Sequence, residues 1–266
     1  MAHPKTPGTA QSDDSPRFAQ ERQARIAATL REQGRVEVSA LAAEYGLSED
    51  TIRRDLRLLA SRGLVQKTHG GAVALYTTAL PMAQRVDVRA TSKRAIARAA
   101  AERVHAHQAL FIDGGSTALA LAQILAAPDA PRPLTIITPA FDVAALFAND
   151  PTVQLVLAGG TWSHETREFF GDQAQATIRA HRADWAFLGA CALHQRAGLT
   201  SSLAGDAQVK RAMIESAAAC AVLADATKHD MVAPYAVADL REIDLVISDA
   251  GPSWLAGTVR EVVRAV

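Results

Sequence analysis

Apolar residues follow two rhythms along this chain. In the first 75 residues they recur at helical spacing. Ile26 and Leu30, with Ala27 beside them, predict the buried stripe of a helix over residues 18–33, which Gly34 stops. Leu41, Ala42 and Tyr45 share a face of a second helix. Gly46 follows, where a helix C-terminus favours a residue that tolerates positive φ, and Leu47 fills the gap to a third helix. Ser48 suits the N-cap of that helix, and Asp50 stands in its first turn, where the helix dipole favours negative charge. Ile52, Leu56 and Leu59 give it a buried face. Val36 and Val38 predict a short strand. Residues 63–73 hold two short apolar runs around Gly70-Gly71, a hairpin signal.

From Thr91 the rhythm changes. A helix over residues 92–104 leads into continuous apolar runs, each followed by a helical segment. The runs are Ala109-Leu110-Phe111-Ile112, Leu134-Thr135-Ile136-Ile137, Val153-Gln154-Leu155-Val156-Leu157, Trp185-Ala186-Phe187-Leu188, Ala221-Val222-Leu223-Ala224 and Leu245-Val246-Ile247. Such alternation predicts a mostly parallel sheet covered on both faces, an α/β layered domain of Rossmann-like character. Between the two patterns, residues 76–87 contain Pro81 and no strong periodicity, and read as a connector. Residues 1–16 carry Pro, Ser and Asp without apolar periodicity and read as a disordered tail. No internal repeat or extended low-complexity segment is visible.

Composition narrows this only a little. Hydrophobic residues make up 49% of the 266 residues and charged ones 21%, the balance of a water-soluble folded protein. The 28 basic and 28 acidic residues cancel, so bulk charge gives no support for binding nucleic acid. Any such surface must be local, as in Arg53, Arg54, Arg57, Arg62 and Lys67, and Glu49, Asp50 and Asp55 dilute it. Cys191 and Cys220 lie far apart in no metal-binding or Cys-x-x-Cys spacing, as expected of reduced core residues in a cytoplasmic protein. No apolar leader and no bilayer-length run is seen, so no membrane association is expected.

The chemistry sits in two places. Residues 39–63 read as helix, tight turn, helix. Thr51, Arg53, Arg54 and Arg57 fall off the buried face of the second of these, where Arg53 and Arg54 can meet phosphates or guanine edges. An αα-hairpin with a solvated basic face fits the same spacing. The hairpin that follows directly has the position of a wing, with Lys67 and His69 near its tip.

The second place is the carboxyl ends of the predicted strands, where open α/β sheets bind ligands. After the first strand comes Asp113-Gly114-Gly115-Ser116-Thr117. Its glycines allow close backbone approach, and its hydroxyls open a helix whose N-terminus can hold an anion. It is neither a Walker A loop nor a dinucleotide fingerprint, and a plain strand-to-helix turn fits it too. Thr138-Pro139-Ala140, Gly159-Gly160 and Asp225-Ala226-Thr227-Lys228 follow later strands, and Lys228 is the basic group this reading puts at a strand end. Asp206 and Lys210 lie one helical turn apart, either facing the same ligand or simply pairing.

These segments resemble the DeoR-type bacterial transcription regulators. Thr51-Ile52-Arg53-Arg54-Asp55-Leu56 and His69-Gly70-Gly71-Ala72 match the family's two N-terminal signatures. Asp113-Gly114-Gly115-Ser116-Thr117 matches its effector loop, and Gly159-Gly160, Phe170-Gly171, Val209-Lys210-Arg211 and Asp225-Ala226-Thr227-Lys228 match later blocks. The resemblance runs from near Glu21 almost to the C-terminus. The loop departs from the usual Asp-Ser-Gly-Thr-Thr, with Gly114 for Ser and Ser116 for Thr. Thr138-Pro139 stands where Thr-Asn is usual, His229 where an aromatic often follows the lysine, and Gly205-Asp206-Ala207 near a usual Glu-rich pair.

The resemblance implies an α/β chain with an N-terminal winged helix-turn-helix domain followed by a Rossmann-like α/β effector domain similar to sugar-phosphate isomerases. The expected layout is a tail over 1–16, the DNA-binding domain over 17–75, a linker over 76–90 and the effector domain over 91–266. The expected function is a cytoplasmic DNA-binding regulator, a repressor of a carbohydrate-metabolism operon, released from operator DNA by a phosphorylated sugar. Ser48, Thr51, Arg53, Arg54, Arg57, Lys67 and His69 are the expected DNA contacts. Asp113, Gly114, Gly115, Ser116, Thr117, Thr138, Gly159, Gly160, Asp206, Lys210 and Lys228 are the expected effector contacts. Double-stranded operator DNA, a phosphorylated sugar and further copies of the chain are the expected partners, with no cofactor, metal or catalysis. Two alternatives stand beside this. One is an isomerase-like enzyme with Asp113, Asp206 or Asp225 as base. The other is a winged domain that binds protein.

Overall fold

The computed structural model describes residues 16–33, 35–61, 64–68, 70–74 and 81–266, and the chain divides into two units between Leu75 and Tyr76. Residues 1–15 of the expected tail, Arg62, His69 and residues 76–80 of the connector lie outside the described residues; Pro16, expected in the tail, opens the first helix instead.

The N-terminal unit runs α1 (Pro16–Gln33), β1 (Arg35–Glu37), α2 (Val38–Tyr45), α3 (Glu49–Ser61), β2 (Val65–Thr68) and β3 (Gly71–Ala74). Its strands form an antiparallel sheet in the order β1-β3-β2, so β1 pairs with the wing; Val36 lies in this strand, while Val38, expected there too, opens α2 instead. Ile26, Leu30, Leu41, Ile52, Leu56, Leu59 and Val65 close one core. Gly46 ends α2 at φ +64°, with its N–H donating to Ala43 and the Leu47 N–H donating to Ala42, the paired bonds of a Schellman ending. Gly71 is required for a different reason. A Cβ there would stand 1.9 Å from the Val36 carbonyl oxygen, so only glycine lets β1 approach β3. One buried ion pair fastens α1 to α3. Asp55 accepts from Arg22 Nε at 2.6 Å and from Gln23 Nε2 at 2.7 Å. The sequence motif's acidic residue therefore points inward, away from the basic face.

The second unit opens with α4 (Met82–Asp87) and α5 (Ala90–Ala101). Then come β4 (Ala109–Ile112), α6 (Ser116–Leu125), β5 (Leu134–Thr138), α7 (Phe141–Phe147), β6 (Val153–Leu157), β7 (Thr161–Ser163), β8 (Glu168–Phe170), α8 (Asp172–Arg179) and β9 (Ala183–Gly189). The chain ends through β10 (Ala192–His194), β11 (Gly198–Ser201), α9 (Ala204–Ser216), β12 (Ala217–Leu223), β13 (Tyr235–Ala238), β14 (Leu245–Ser248) and β15 (Glu261–Arg264). Seven strands form a parallel sheet in the order β15-β14-β12-β9-β4-β5-β6. Every apolar run picked out above is a strand of it.

The strands alternate their side chains between two apolar layers. Leu110 and Ile112 face α5, α6 and α7, while Phe111 and Leu188 face α8, α9 and the small sheet β10-β11-β13. Successive strands run from β4 through β5 to β6 on one side, and from β9 outward on the other. The order reverses between β4 and β9, which opens a crevice beyond their carboxyl ends. Pro81 does not prevent a helix in the connector. It stands at the N-cap of α4, whose Met82 N–H donates to the Glu165 carbonyl at 3.1 Å and docks it on the β7–β8 turn.

Replacing Asp55 with Ala leaves Arg22 buried without a counter-charge. Equilibrium urea unfolding should register a loss of about 3–5 kcal/mol in the N-terminal unit. A loss under about 1 kcal/mol would contradict the structural role given to Asp55.

Candidate functional site

The reversal point holds a cleft open to solvent. Gly114, Gly115, Ser116 and Thr117 form its floor, Gly189 to Cys191 and Ser201 to Leu203 its sides, and Glu168, Asp206 and Lys210 its inner wall. Arg85, Lys93 and Lys228 line it as well. Gly115, at φ +86°, turns the chain from β4 into α6, whose first N–H groups have no partner within the helix. That dipole end favours an anion.

The inner wall is a buried ion cluster. Asp113 sits at the end of β4, where its Oδ2 accepts from the Gly189 N–H at 2.9 Å and meets Lys210 Nζ at 2.8 Å. Lys210 also pairs with Asp206 one turn earlier on α9. Asp206 accepts in addition from Ser201 Oγ at 2.5 Å. So Asp206 and Lys210 both pair and face the cleft. Burial works to strip Lys210 of its proton, yet Asp113 and Asp206 hold it well above the usual lysine range. Burial pushes Asp113 up to about 6, which leaves it ionised at neutrality. Burial also pushes Glu168 up to about 8, with Asp206 and Asp113 adding to the effect, so at neutral pH it is predominantly protonated. Oxygens of Asp113, Glu168 and Asp206 lie within 4.8 Å of one another, a spacing that suits a metal ion. The Lys210 ammonium already supplies positive charge to two of them.

Cations line the cleft as well. Burial lowers Lys93 to about 8; Asp225 offsets part of this, and Lys228, Arg85 and Arg89 add to it. Burial likewise lowers Lys228. Lys228 reaches the cleft from a short 3-10 turn, Ala226–Lys228. Asp225 caps this turn by accepting from the Thr227 N–H at 2.9 Å. Arg89 stands 3.5 Å from Asp225 and 2.5 Å from Asp249. The Lys93 ammonium donates to the Arg85 carbonyl, tying α5 to α4. Arg85 Nε and Nη2 are buried with no protein hydrogen bond, and so is Thr166 Oγ1. Buried polar groups are rarely left in this state, and these two lie on one cleft.

The expected ligand residues thus divide. Gly114, Gly115, Ser116, Thr117, Asp206, Lys210 and Lys228 line the cleft, and Asp113 braces it from behind. Thr138, Gly159 and Gly160 do not line it. Thr138 is fully buried, and its hydroxyl accepts from the Ala140 N–H at 3.1 Å. Gly160, at φ +142°, passes so close to Phe170 that a Cβ would stand 2.3 Å from its carbonyl oxygen. His229 turns away toward Ser248 and Trp254. Cys191 lies on the cleft rather than in a core, its thiol pushed up by burial. Arg85, Lys93, Glu168 and Thr166 were not expected. A basic residue at helical spacing on α4 and α5 was the only trace of the first two.

In the N-terminal unit, Arg53, Arg54, Arg57 and Lys67 are exposed on α3 and β2. Arg53 is shared with Glu49 at 2.5 Å and Asp50 at 3.9 Å. Arg57 Nε donates to the Arg53 carbonyl at 3.2 Å. The Ser48 hydroxyl accepts from the Thr51 N–H at 3.3 Å and lies 3.0 Å from the Thr51 hydroxyl, so both residues shape the start of α3.

Comparison with known proteins adds the following. Residues 22–78 match the family model of the DeoR-like helix-turn-helix domain, and residues 88–250 match that of the DeoR C terminal sensor domain. The HTH-type transcriptional regulator GlpR of Haloferax volcanii is 32% identical over 86% of this chain and 89% of its own length. The transcriptional repressor AccR of Agrobacterium fabrum is 31% identical over 92% of this chain and 95% of its own. Among solved structures, ribose 5-phosphate isomerase A of Methanocaldococcus jannaschii covers 52% of this chain and 53% of its own. At 18% identity and a TM-score of 0.37, that likeness is too weak to bear on activity.

Lys210→Met strands two buried carboxylates. It should cost about 3–5 kcal/mol of stability at pH 8. The loss should shrink toward pH 5, as the unpaired Asp113, already pushed up by burial, takes up a proton that the folded chain then binds more tightly than the unfolded one. Unfolding curves at the two pH values check this, and a loss that does not change with pH would contradict it.

Proposed function

The chain belongs to the DeoR family of transcription regulators, and on that ground we propose that it binds operator DNA and is released by a phosphorylated sugar. The observation that carries the ligand class is the cationic lining of the cleft. Arg85 is a buried guanidinium with two unpartnered nitrogens, beside Lys93, Lys228 and the N-terminus of α6. Burial, with nearby Arg85 and Arg89 adding to it, holds Lys93 and Lys228 below the usual lysine range, and a dianion beside them stabilises their charged forms. A phosphate fits that charge, and the carboxyl and hydroxyl groups of Glu168, Asp206 and Ser201 suit the hydroxyls of a sugar.

Binding rather than turnover is favoured by the state of the carboxylates. Aldose–ketose chemistry needs a free base. Asp113 and Asp206 share Lys210, and Asp225 is held by Arg89 and Thr227. Glu168 keeps its own proton. On the DNA side, α3 serves as the reading helix, Arg54 and Arg57 as the main cationic contacts, and Lys67 as the wing contact. Phosphosugars are intermediates of carbohydrate breakdown, so the regulated genes belong to that chemistry and repression relieved by the ligand is the sense of control. A single reading helix spans one half-site, which favours a homo-oligomer on repeated half-sites. No described helix is long and apolar enough to cross a membrane, and a DNA-binding role locates the protein in the cytoplasm. Arg85 belongs to the segment that leads from the DNA-binding unit into the sensor domain. A ligand that draws Arg85 inward biases that segment, and through it the affinity for DNA.

Differential scanning fluorimetry against sugar phosphates tests the reading. A ligand at a hundredfold excess over its Kd stabilises by about 2.7 kcal/mol, and Arg85→Met or Lys228→Met should abolish the shift. Affinity should fall as pH rises from 7 to 9. Lys93, at about 8, then loses a positive charge, and Glu168, also at about 8, gains a negative one. Both changes oppose an anion. No shift with any sugar phosphate, or an affinity unchanged over that range, would contradict the proposal.

A further inference from the structure

Gly114 and Glu168 compete for one space. A Cβ on Gly114 would stand 1.1 Å from Glu168 Oε1 and 2.0 Å from its carboxyl carbon. No side chain fits at position 114 while Glu168 keeps its place. The backbone that carries it is firmly held. Glu168 opens β8, bridges to Ala140, and is followed by Phe169, whose N–H donates to the Pro139 carbonyl at 2.9 Å. The hairpin thus lays the carboxyl over the glycine loop, on the cleft wall.

The charged groups that face Glu168 are Asp113 behind the loop, Asp206 and Lys210 on α9, and Arg85 on α4. Lys210 is committed to both aspartates. A third negative charge beside them is unfavourable, and the cleft favours a carboxylic acid at this point. A carboxylic acid donates through its O–H and accepts through its C=O. A sugar hydroxyl does both as well. Thr166, two residues earlier in the same hairpin, brings an independent sign of a ligand. It is 7% exposed, lies on the cleft, and its Oγ1 has no protein partner.

We propose that Glu168, seated in the space that Gly114 leaves open, is the specificity-determining residue of the cleft and hydrogen-bonds a hydroxyl on the carbon chain of the phosphosugar. The inference rests on the phosphosugar reading above. It assigns selection among sugars to the β8 side of the cleft and phosphate binding to Arg85, Lys93 and Lys228. The upward pKa shift of Glu168 agrees with this chemistry, because an acid that keeps its proton near neutrality remains a donor.

The test uses the full-length protein and measures Kd by calorimetry at pH 7. The probes are glucose 6-phosphate, fructose 6-phosphate, fructose 1-phosphate, ribose 5-phosphate and glycerol 3-phosphate, with inorganic phosphate as the reference without a carbon chain. Glu168→Ala should weaken the preferred sugar phosphate roughly tenfold and leave inorganic phosphate unchanged. Glu168→Gln, which keeps a donor and an acceptor, should retain the wild-type order of preference. Gly114→Ser should lower the melting temperature of the ligand-free protein, and Gly114→Ser combined with Glu168→Ala should restore it. Equal affinities for every probe in wild type and Glu168→Ala would overturn the inference while leaving the phosphosugar reading intact. Loss in Glu168→Gln as deep as in Glu168→Ala, parallel loss of inorganic phosphate, or additive effects of the 114 and 168 substitutions would also overturn it. A wild-type protein that binds none of the sugar phosphates would overturn both the inference and the reading beneath it.

Discussion

The contact on which the sensor domain depends is the buried lysine shared by Asp113 and Asp206. It joins the end of β4 to the first turns of α9, while Asp113 also takes the Gly189 N–H at the end of β9. These are the two strands between which the chain order reverses. Burying three charges there is costly. The arrangement persists because each charge has an opposite partner and further hydrogen bonds, including the Ser201 hydroxyl on Asp206. Its effect is geometric. It fixes the glycine loop, the floor of the cleft and the α9 wall in one register, so that the ligand meets a preformed site.

The cluster also divides the cleft electrically. The Asp113–Lys210–Asp206 wall carries its own compensating charge, and Glu168 beside it stays protonated at neutral pH. Arg85, Lys93 and Lys228 on the same lining bring cations in excess, with Arg85 left short of partners. One set of residues is suited to an anionic group and the other to hydroxyls, which is the division a phosphosugar presents. The cationic residues Arg85 and Lys93 sit on α4 and α5, the first described elements of the second unit. Ligand charge therefore acts where the chain enters the sensor domain.

Much of this was legible in the residues. Buried parallel strands read as continuous apolar runs because both faces are covered, and each such run is a strand. The helix-turn-helix was legible because Gly46, Ser48 and the Ile52, Leu56, Leu59 spacing all point the same way. The glycine loop announced itself by composition. Arg85 and Lys93 did not, because charged residues on short helices ordinarily face water. Their burial follows from α4 docking on the turn before β8, more than seventy residues away in the chain. The three-residue strands β7, β8 and β10 are too short to show a pattern, and β11 (Gly198–Ser201), β13 (Tyr235–Ala238) and β15 (Glu261–Arg264) lack the long apolar run of a strand buried on both faces. Thr138 and Gly160 show the opposite failure. Each has the composition of a ligand residue, but the Thr138 hydroxyl serves a turn and Gly160 yields room to Phe170.

The central claim is that a phosphosugar in this cleft lowers affinity for operator DNA, and fluorescence anisotropy with a labelled fragment of the promoter region beside the gene measures it directly. Titrated with the wild-type protein, the fragment should bind with an affinity that falls steeply with salt, because phosphate contacts release counterions. Addition of the sugar phosphate that binds the cleft should weaken that affinity roughly 5–150-fold, the usual range of such coupling. DNA binding that is unchanged by a sugar phosphate known to occupy the cleft would contradict the account.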